Sequence, residues 1–178
     1  MKKTITDLDF NIKPVEFNNP KIRYSARGIV INDEGKIALL CKKNINLYKL
    51  VGGGLNDNET PIEGFIREVK EEIGAEIGNI KYIGEIHEEK SLDNFIQVSY
   101  VYIAKILKVG KPSFTFEEII DGSYIEWVYP TLAKKLLTKS LNDVKPSKND
   151  GPLSVYHSKF IVKRDLEILN NYISQCEE

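Results

Sequence analysis

Three glutamates at helical spacing are the residues of this sequence with the clearest chemical potential. Glu68, Glu71 and Glu72 stand at positions i, i+3 and i+4, which places them on one helix face. Two carboxylates about 6 Å apart repel by roughly 3 kcal/mol at an effective dielectric constant near 20. Three of them therefore favour a compensating cation, and Mg²⁺ is commonly held by carboxylates together with substrate phosphates. For the glutamates alone, a solvated acidic helix face is the simpler explanation.

The surrounding residues carry the start and stop signals of a helix. Thr60 and Glu63 have the spacing of a capping box, and Pro61 suits the first helical position. Gly74 can take the left-handed conformation that ends a helix. We therefore predict a helix between Thr60 and Gly74. Five apolar residues at helical spacing are predicted to face the core: Ile62, Phe65, Ile66, Val69 and Ile73.

A glycine run precedes this helix and completes a longer pattern. The run Gly52–Gly54 lets a backbone approach a helix or a phosphate closely, although glycines alone are typical of any turn. From Gly53, five residues lead to Glu59 and seven more lead to the segment REVKEEIG at 67–74. The stretch resembles the signature of the Nudix hydrolases, GX5EX7REUXEEXGU, where U is a bulky aliphatic residue. Every fixed letter is present, and only the final U departs, as Ala75.

Two further departures lie at the borders of the signature. Val51 stands where family members often have proline, and Asn58 stands where they often have glycine. Because asparagine tolerates the left-handed conformation better than most residues, we expect the turn before Glu59 to be kept.

The resemblance implies a fold, a reaction and a set of site residues. It implies an α/β protein, with a Nudix-type α/β/α sandwich in which helices flank a mixed β-sheet. It also implies Mg²⁺-dependent hydrolysis of a diphosphate linkage by metal-activated water, with Mn²⁺ as a possible substitute. Glu68, Glu71 and Glu72 carry over as metal ligands, and Glu68 or Glu72 would also orient the water or accept its proton. Four residues carry over as structural: Gly53, Glu59, Arg67 and Gly74.

The resemblance also implies a further carboxylate from a loop before the last strand, which acts as a metal ligand or as a general base. The candidates are Glu117, Glu118 and Asp121, of which we favour Glu118 as a fourth catalytic residue. Each of the three could instead be a solvated loop residue.

Substrate contacts are less visible in the sequence. Arg23 and Arg27 share one face of a predicted strand and could meet phosphates together with Gly52 and Gly54, although solvation at a strand edge is as good an explanation. Lys42 and Lys49 could do the same. Five aromatic residues could stack on a base, although aromatics on strands usually belong to the core: Tyr24, Tyr48, Phe95, Tyr100 and Trp127. No role is expected for His87 or His157.

Composition limits the classes of partner. The net charge of −1 shows no basic excess, so we expect a small nucleotide substrate and no nucleic-acid partner. No apolar stretch has the length of a membrane span, and the first residues do not resemble a signal peptide. Cys41 and Cys176 lie far apart without a pairing motif. We therefore expect a reduced, cytoplasmic protein without membrane association.

The remaining pattern divides the chain into three parts. We expect a lead-in with one short edge strand at 1–20, a Nudix domain at 21–141, and a loop and C-terminal helix packed on that domain at 142–178. That helix could alternatively form a homodimer surface. The predicted strands lie at 22–31, 36–42, 47–51, 95–107 and 124–128, with two β-rich pieces at 76–90 and an ambiguous segment at 114–121.

Two functions remain open at this level. The leading one is hydrolysis of a nucleoside diphosphate derivative, such as a nucleoside triphosphate, ADP-ribose or a nucleotide sugar. The alternative is a catalytically silent Nudix-fold module that binds nucleotides or regulates a partner. Because all the expected metal carboxylates are present, the sequence favours the enzyme.

Overall fold

Residues 1–147 and 151–177 are described by a computed structural model, in which strands form one sheet with helices on both faces. The strands are β1 (Lys2–Thr6), β2 (Lys21–Ile31), β3 (Ile37–Lys42), β4 (Leu47–Gly54), β5 (Ala75–Lys90), β6 (Phe95–Val109) and β7 (Ser123–Val128). The helices are α1 (Pro61–Glu72), α2 (Phe116–Ile120), α3 (Pro130–Asp143) and α4 (Ser154–Glu177).

The sheet is mixed, and its order is β1-β5-β6-β2-β4-β3-β7. The pairs β1–β5 and β2–β6 are parallel, whereas the other neighbouring strands are antiparallel. β1 is the edge strand expected within the first 20 residues. β2 and β4 lie side by side near the middle, so the glycine run at the end of β4 is supported by a central strand.

An apolar layer lies on each face of the sheet. On one face Phe65 and Val69 of α1 pack with sheet residues such as Ala26 and Val51. On the other face α3 and α4 cover a larger cluster, with these fully buried residues among its members: Ile29, Leu39, Leu50, Leu137, Phe160 and Ile168. This three-layer arrangement confirms the predicted α/β/α sandwich.

The buried face of α1 differs from the prediction. Phe65, Val69 and Ile73 are buried as expected, but Ile62 and Ile66 are each 42% exposed. On the other side of the stripe, Gly64 and Glu72 are buried. The helix is therefore turned about its axis toward the glycine run, because polar contacts of Glu72 compete successfully with burial of the two isoleucines.

The bounds of several elements after α1 differ from those predicted from the sequence. The two expected pieces at 76–90 are one strand, β5, whose register shifts beside Gly78 and Gly84. The ambiguous segment at 114–121 contains the short helix α2. The sequence also predicts a helix from Pro130 to about Lys139 and a final helix from about Val155 to Ser174. Both are present, and α3 and α4 extend slightly beyond these bounds. Residues 148–150 of the expected loop lie outside the described residues.

A buried group of charges fastens α4 to the sheet. Asp165 accepts a hydrogen bond from the backbone N–H of Leu50 at 2.7 Å, and Arg164 pairs with Asp165 at 2.9 Å and with Glu88 at 2.8 Å. Burial alone would raise the pKa of Glu88, but the nearby cations, Arg164 first among them, lower it to about 2. Because Leu50 lies in β4, this group connects the C-terminal helix to the strand that ends in the glycine run.

None of the helices within residues 1–147 and 151–177 has both the length and the apolar character needed to cross a bilayer.

Candidate active site

Local signals in the turn between β4 and α1 work as the sequence predicts. Asn58 has a left-handed backbone with φ of 63°, which confirms that it can replace a glycine there. Thr60 and Glu63 form the expected capping box, and Gly74 ends the helix with φ of 74°. The position of the glutamates along α1 is therefore set by caps at both of its ends.

Arg67 is the centre of a polar network that joins this turn to the helix. Its Nε and Nη2 donate to the two carboxylate oxygens of Glu59 at 2.8 and 3.0 Å, and Nη2 also donates to the carbonyl oxygen of Gly54 at 2.8 Å. Its Nη1 donates to Glu68 at 2.8 Å and to Glu71 at 3.0 Å. The bond from Arg67 lowers the pKa of Glu59. One guanidinium thus holds the loop and orients two of the three candidate ligands.

Glu72 is held by a second set of contacts. It is 3% exposed, accepts the backbone N–H of Gly52 at 2.8 Å, and pairs with the Lys49 ammonium at 2.9 Å. Burial raises the pKa of Glu72, while Lys49 and the Gly52 amide oppose that shift. Gly52 has φ of 134°, and a Cβ there would lie 2.3 Å from the carbonyl oxygen of Ala26. The contact to Glu72 therefore requires glycine at position 52.

Gly53 makes room for the carboxylate of Glu68. A Cβ at position 53 would lie 2.5 Å from Glu68 Oε1. Consecutive glycines thus serve two different glutamates, with Gly52 binding Glu72 through its N–H and Gly53 leaving space for Glu68.

The three glutamates line one cleft of about 390 Å³, which we call the carboxylate cleft. It is bounded by Glu68, Glu71, Glu72, Ser113, Phe114, Thr115 and Glu118. The structure therefore brings Glu118 to the three helix glutamates, as we favoured from the sequence. The sequence does not identify residues 113–115 as part of the site, because a short uncharged loop carries no signal of its place in the fold.

The acidic residues around α2 have different surroundings. Glu118 Oε2 accepts the N–H and hydroxyl of Thr115 at 2.9 and 3.1 Å, which caps α2. Asp121 is buried and pairs with Lys42 at 3.0 Å. Glu117 is exposed and does not line the carboxylate cleft. Of the three candidates, only Glu118 shares a cleft with the helix glutamates.

The two candidate arginines of β2 have separate environments. Arg23 is exposed, and its guanidinium lies so close to Gly54 that a Cβ there would be 2.4 Å from Nη2. Arg27 is 5% exposed, and burial lowers its pKa to about 10. Charges of Arg164 and Asp165 also act on Arg27. Arg27 thus belongs to the buried charges beneath α4, whereas Arg23 stands at the surface beside the glycine run.

A second cleft of about 540 Å³ lies between the sheet and the first turns of α4, and we call it the cationic cleft. The basic residues that line it are Arg23, Lys42, Lys49 and His157. His157, to which the sequence assigned no role, pairs with Asp93 at 3.0 Å. Lys49 lines this cleft while it binds Glu72 of the carboxylate cleft, so one side chain connects the two.

The carboxylates have the chemistry of ligands for a hard divalent cation. Within residues 1–147 and 151–177, no three acidic, histidine or cysteine side chains converge to hold a metal ion directly. Instead Arg67 binds one oxygen each of Glu68 and Glu71, and Lys49 binds Glu72. The second oxygens of Glu68 and Glu71 accept no bond from the part of the chain described here, so these two residues fit an oxygen-seeking cation.

Comparisons with known proteins add an independent finding. A family model described as NUDIX domain matches residues 21–147. An RNA pyrophosphohydrolase of Pseudomonas paraeruginosa is 34% identical over 55 residues, which cover 31% of this chain and 35% of the relative. A putative 8-oxo-dGTP diphosphatase, YtkD of Bacillus subtilis, is 36% identical over 73 residues, covering 39% of this chain and 43% of the relative. The chain thus spans less than half the length of these curated relatives.

Solved structures show the same fold at low identity. The solution structure of the E. coli ORF135 protein superposes with a TM-score of 0.54 at 16% identity, covering 90% of this chain and 94% of that one. The crystal structure of the Mutator MutT protein from Bacillus halodurans gives a TM-score of 0.50 at 18% identity, covering 64% and 72%. At these identities the likeness is one of fold.

The pairing of Lys49 with Glu72 predicts a specific pattern of stability. Lys49→Met leaves a buried carboxylate without its cation and should lower the free energy of unfolding by about 3 kcal/mol. The double variant Lys49→Met/Glu72→Gln removes both charges and should lose only roughly 1 kcal/mol. Urea denaturation measures both values, with Lys70→Met on the exposed face of α1 as the control. A double variant that loses as much free energy of unfolding as Lys49→Met, or more, would contradict the pairing.

Proposed function

Because this chain belongs to the Nudix family, we propose that it hydrolyses the diphosphate linkage of a nucleoside diphosphate derivative. The observation that carries the proposal is the contact of one guanidinium, that of Arg67, with both the loop and two glutamates of the carboxylate cleft. The second carboxylate oxygens of Glu68 and Glu71, together with Arg23 and Lys49 of the cationic cleft, support the proposal. Cleavage of a diphosphate requires this combination of positioning and charge neutralisation.

The helix carboxylates would hold a divalent cation, Mg²⁺ or, in its place, Mn²⁺. When bound, such an ion supplies charge neutralisation at the phosphates and lowers the pKa of water. Glu68 and Glu71 are available through their second oxygens. Glu72 becomes available when Lys49 exchanges it for another anion, and a substrate phosphate in the cationic cleft would be such an anion.

Glu118 is proposed as the residue that accepts the proton of the attacking water. It uses Oε2 to cap α2, and this leaves Oε1 to act as a base. Because the cap fixes the side chain at the border of the carboxylate cleft, its carboxylate is positioned before substrate binds.

The substrate phosphates would be bound by Arg23, Lys42 and Lys49, with Gly52 and Gly54 allowing a close approach of the backbone. The name 8-oxo-dGTP diphosphatase favours a nucleoside triphosphate as the substrate. The name RNA pyrophosphohydrolase favours an RNA substrate, which the composition of the chain did not. ADP-ribose and nucleotide sugars remain candidates, and the proposed compartment is the cytoplasm.

The alternative of a catalytically silent module rests on a specific observation. All three helix glutamates are paired with Arg67 or Lys49. A protein that kept these pairs in the presence of substrate would bind a nucleotide without cleaving it.

Product release with Mg²⁺ across a substrate panel distinguishes the two functions. The panel contains nucleoside triphosphates, oxidised nucleotides, ADP-ribose, other nucleotide sugars and dinucleoside polyphosphates. Glu72→Gln should keep the fold and reduce turnover at least about a hundredfold, since a carboxylate that would hold the charge-neutralising cation is lost. Turnover unchanged by Glu72→Gln would contradict the assignment. Nucleotide binding without turnover of any substrate would favour the silent module.

The paired acidic residues of α2 allow a matched test of the base. Gln can replace Glu in a capping box, so Glu118→Gln removes the charge and preserves the cap. We expect Glu118→Gln to lower kcat at least about tenfold and Glu117→Gln to change it less than about twofold, because a general base contributes strongly to rate. Steady-state kinetics in Mg²⁺ measure both variants, and the reverse ranking would contradict the choice of Glu118.

A further inference from the structure

A third cleft lies on the opposite side of Arg23 from the cationic cleft, and we call it the tyrosine cleft. It has a volume of about 490 Å³, and its lining includes Ile22, Arg23, Tyr24, Asn56, Asn58 and Tyr100. The rings of Tyr24 and Tyr100 are 6.4 Å apart between centroids and inclined by 22°. The volume lies within the usual range of a small-molecule site, about 300–1,000 Å³.

The tyrosine cleft is open because the sheet is only partly covered there. β4 pairs with β2 from Ser25 to Gly28, and Leu55 N–H then donates to the carbonyl oxygen of Tyr24 at 3.0 Å. Residues of β2 before Ser25 therefore project past β4. As a result Tyr24 remains 48% exposed, although it lies on a central strand. Tyr82 and Tyr124 are other exposed strand aromatics, at 51% and 40%, whereas Tyr102 is buried in the core.

Two features suit this surface to a nucleobase. A half-exposed tyrosine backed by a second, nearly parallel ring offers a flat face on which any base can stack. The neighbouring asparagines, Asn56 and Asn58, carry amide groups that can donate and accept hydrogen bonds at a base edge.

Arg23 connects the tyrosine cleft to the proposed substrate site. Its side chain lines both the cationic cleft and the tyrosine cleft, and its guanidinium lies against Gly54 of the glycine run. A guanidinium binds phosphate oxygens in a bidentate manner. A phosphate chain held by Arg23 can therefore carry one nucleoside on each side of this residue.

We propose that the tyrosine cleft binds a second nucleoside of the substrate, joined through phosphate to the nucleoside at the hydrolytic site. The inference rests on the proposed hydrolase function and narrows its substrate to molecules with two nucleosides. Either a dinucleoside polyphosphate or the first two nucleotides of a 5′-triphosphorylated strand has this chemistry. The competing occupant is a second copy of the chain, because two further apolar side chains are exposed: Ile62 follows the lining residue Pro61, and Tyr82 lies on β5, which pairs with the strand of Tyr100.

Tyr24→Ala tests the proposal with three substrates: ATP, diadenosine tetraphosphate and 5′-triphosphorylated ApA. Loss of one stacked base should lower kcat/KM about tenfold for the substrates with two nucleosides and leave ATP turnover at the wild-type value. Tyr24→Phe should keep kcat/KM at the wild-type value for all three substrates, because the aromatic ring is kept. Comparison of the two longer substrates identifies the source of the second nucleoside.

Tyr82→Ala is the matched control, since Tyr82 is 51% exposed on β5 and does not line the tyrosine cleft. An equal effect of Tyr24→Ala on all three substrates, or no effect on any, would overturn the proposal. So would a change of oligomeric state in sedimentation, which would assign the surface to a second copy of the chain.

A binding measurement separates this proposal from the proposed function. If the wild-type protein turns over no substrate, calorimetry with a methylene-bridged analogue of diadenosine tetraphosphate replaces kinetics. Affinity that falls about tenfold in Tyr24→Ala would support the tyrosine cleft while the hydrolase proposal fails. Equal affinities of the wild-type protein and the variant would overturn the tyrosine cleft as well.

Discussion

The guanidinium of Arg67 connects parts of the chain that would otherwise repel one another. Glu59, Glu68 and Glu71 each contact it, and the carbonyl oxygen of Gly54 accepts a further bond. A planar fork with five N–H donors can meet these partners at once, whereas the single ammonium of lysine could not. The loop, the orientation of the helix carboxylates and the shape of the carboxylate cleft all depend on this group.

A second line of contacts reaches the same site from the C-terminal part of the chain. Asp165 of α4 binds the backbone of Leu50, and the preceding residue of β4, Lys49, binds Glu72. Gly52, two residues after Leu50, donates its N–H to that same carboxylate. β4 therefore connects α4 to α1. Leu50 binds α4, and Lys49 and Gly52 bind Glu72 at the end of α1.

Local features of this site were predictable from sequence, whereas features set by tertiary packing were not. The roles of Thr60, Asn58 and Gly74 depend only on neighbouring residues of the chain. Their residue types are therefore enough to predict their conformations. Arg23 and Arg27 have the same parity on one strand, yet one is exposed and the other is buried, because α4 covers only the second. No periodicity in the strand carries that information.

The helix α1 shows the same limit in another form. Its apolar residues predicted a core stripe that includes Ile62 and Ile66, but both are substantially exposed. The helix is turned toward the glycine run by contacts of Glu72 with Gly52 and Lys49, which lie outside the helix. A hydrophobic pattern takes only apolar residues into account. In this protein the orientation of α1 depends on a buried carboxylate, that of Glu72.

The most direct test of the account is anomalous diffraction from crystals soaked with Mn²⁺ and a non-hydrolysable nucleoside triphosphate. We expect an anomalous peak bonded to the carboxylates of Glu68 and Glu71, with Arg67 still bound to Glu59. Bound nucleotide without an anomalous peak at the carboxylate cleft would contradict it.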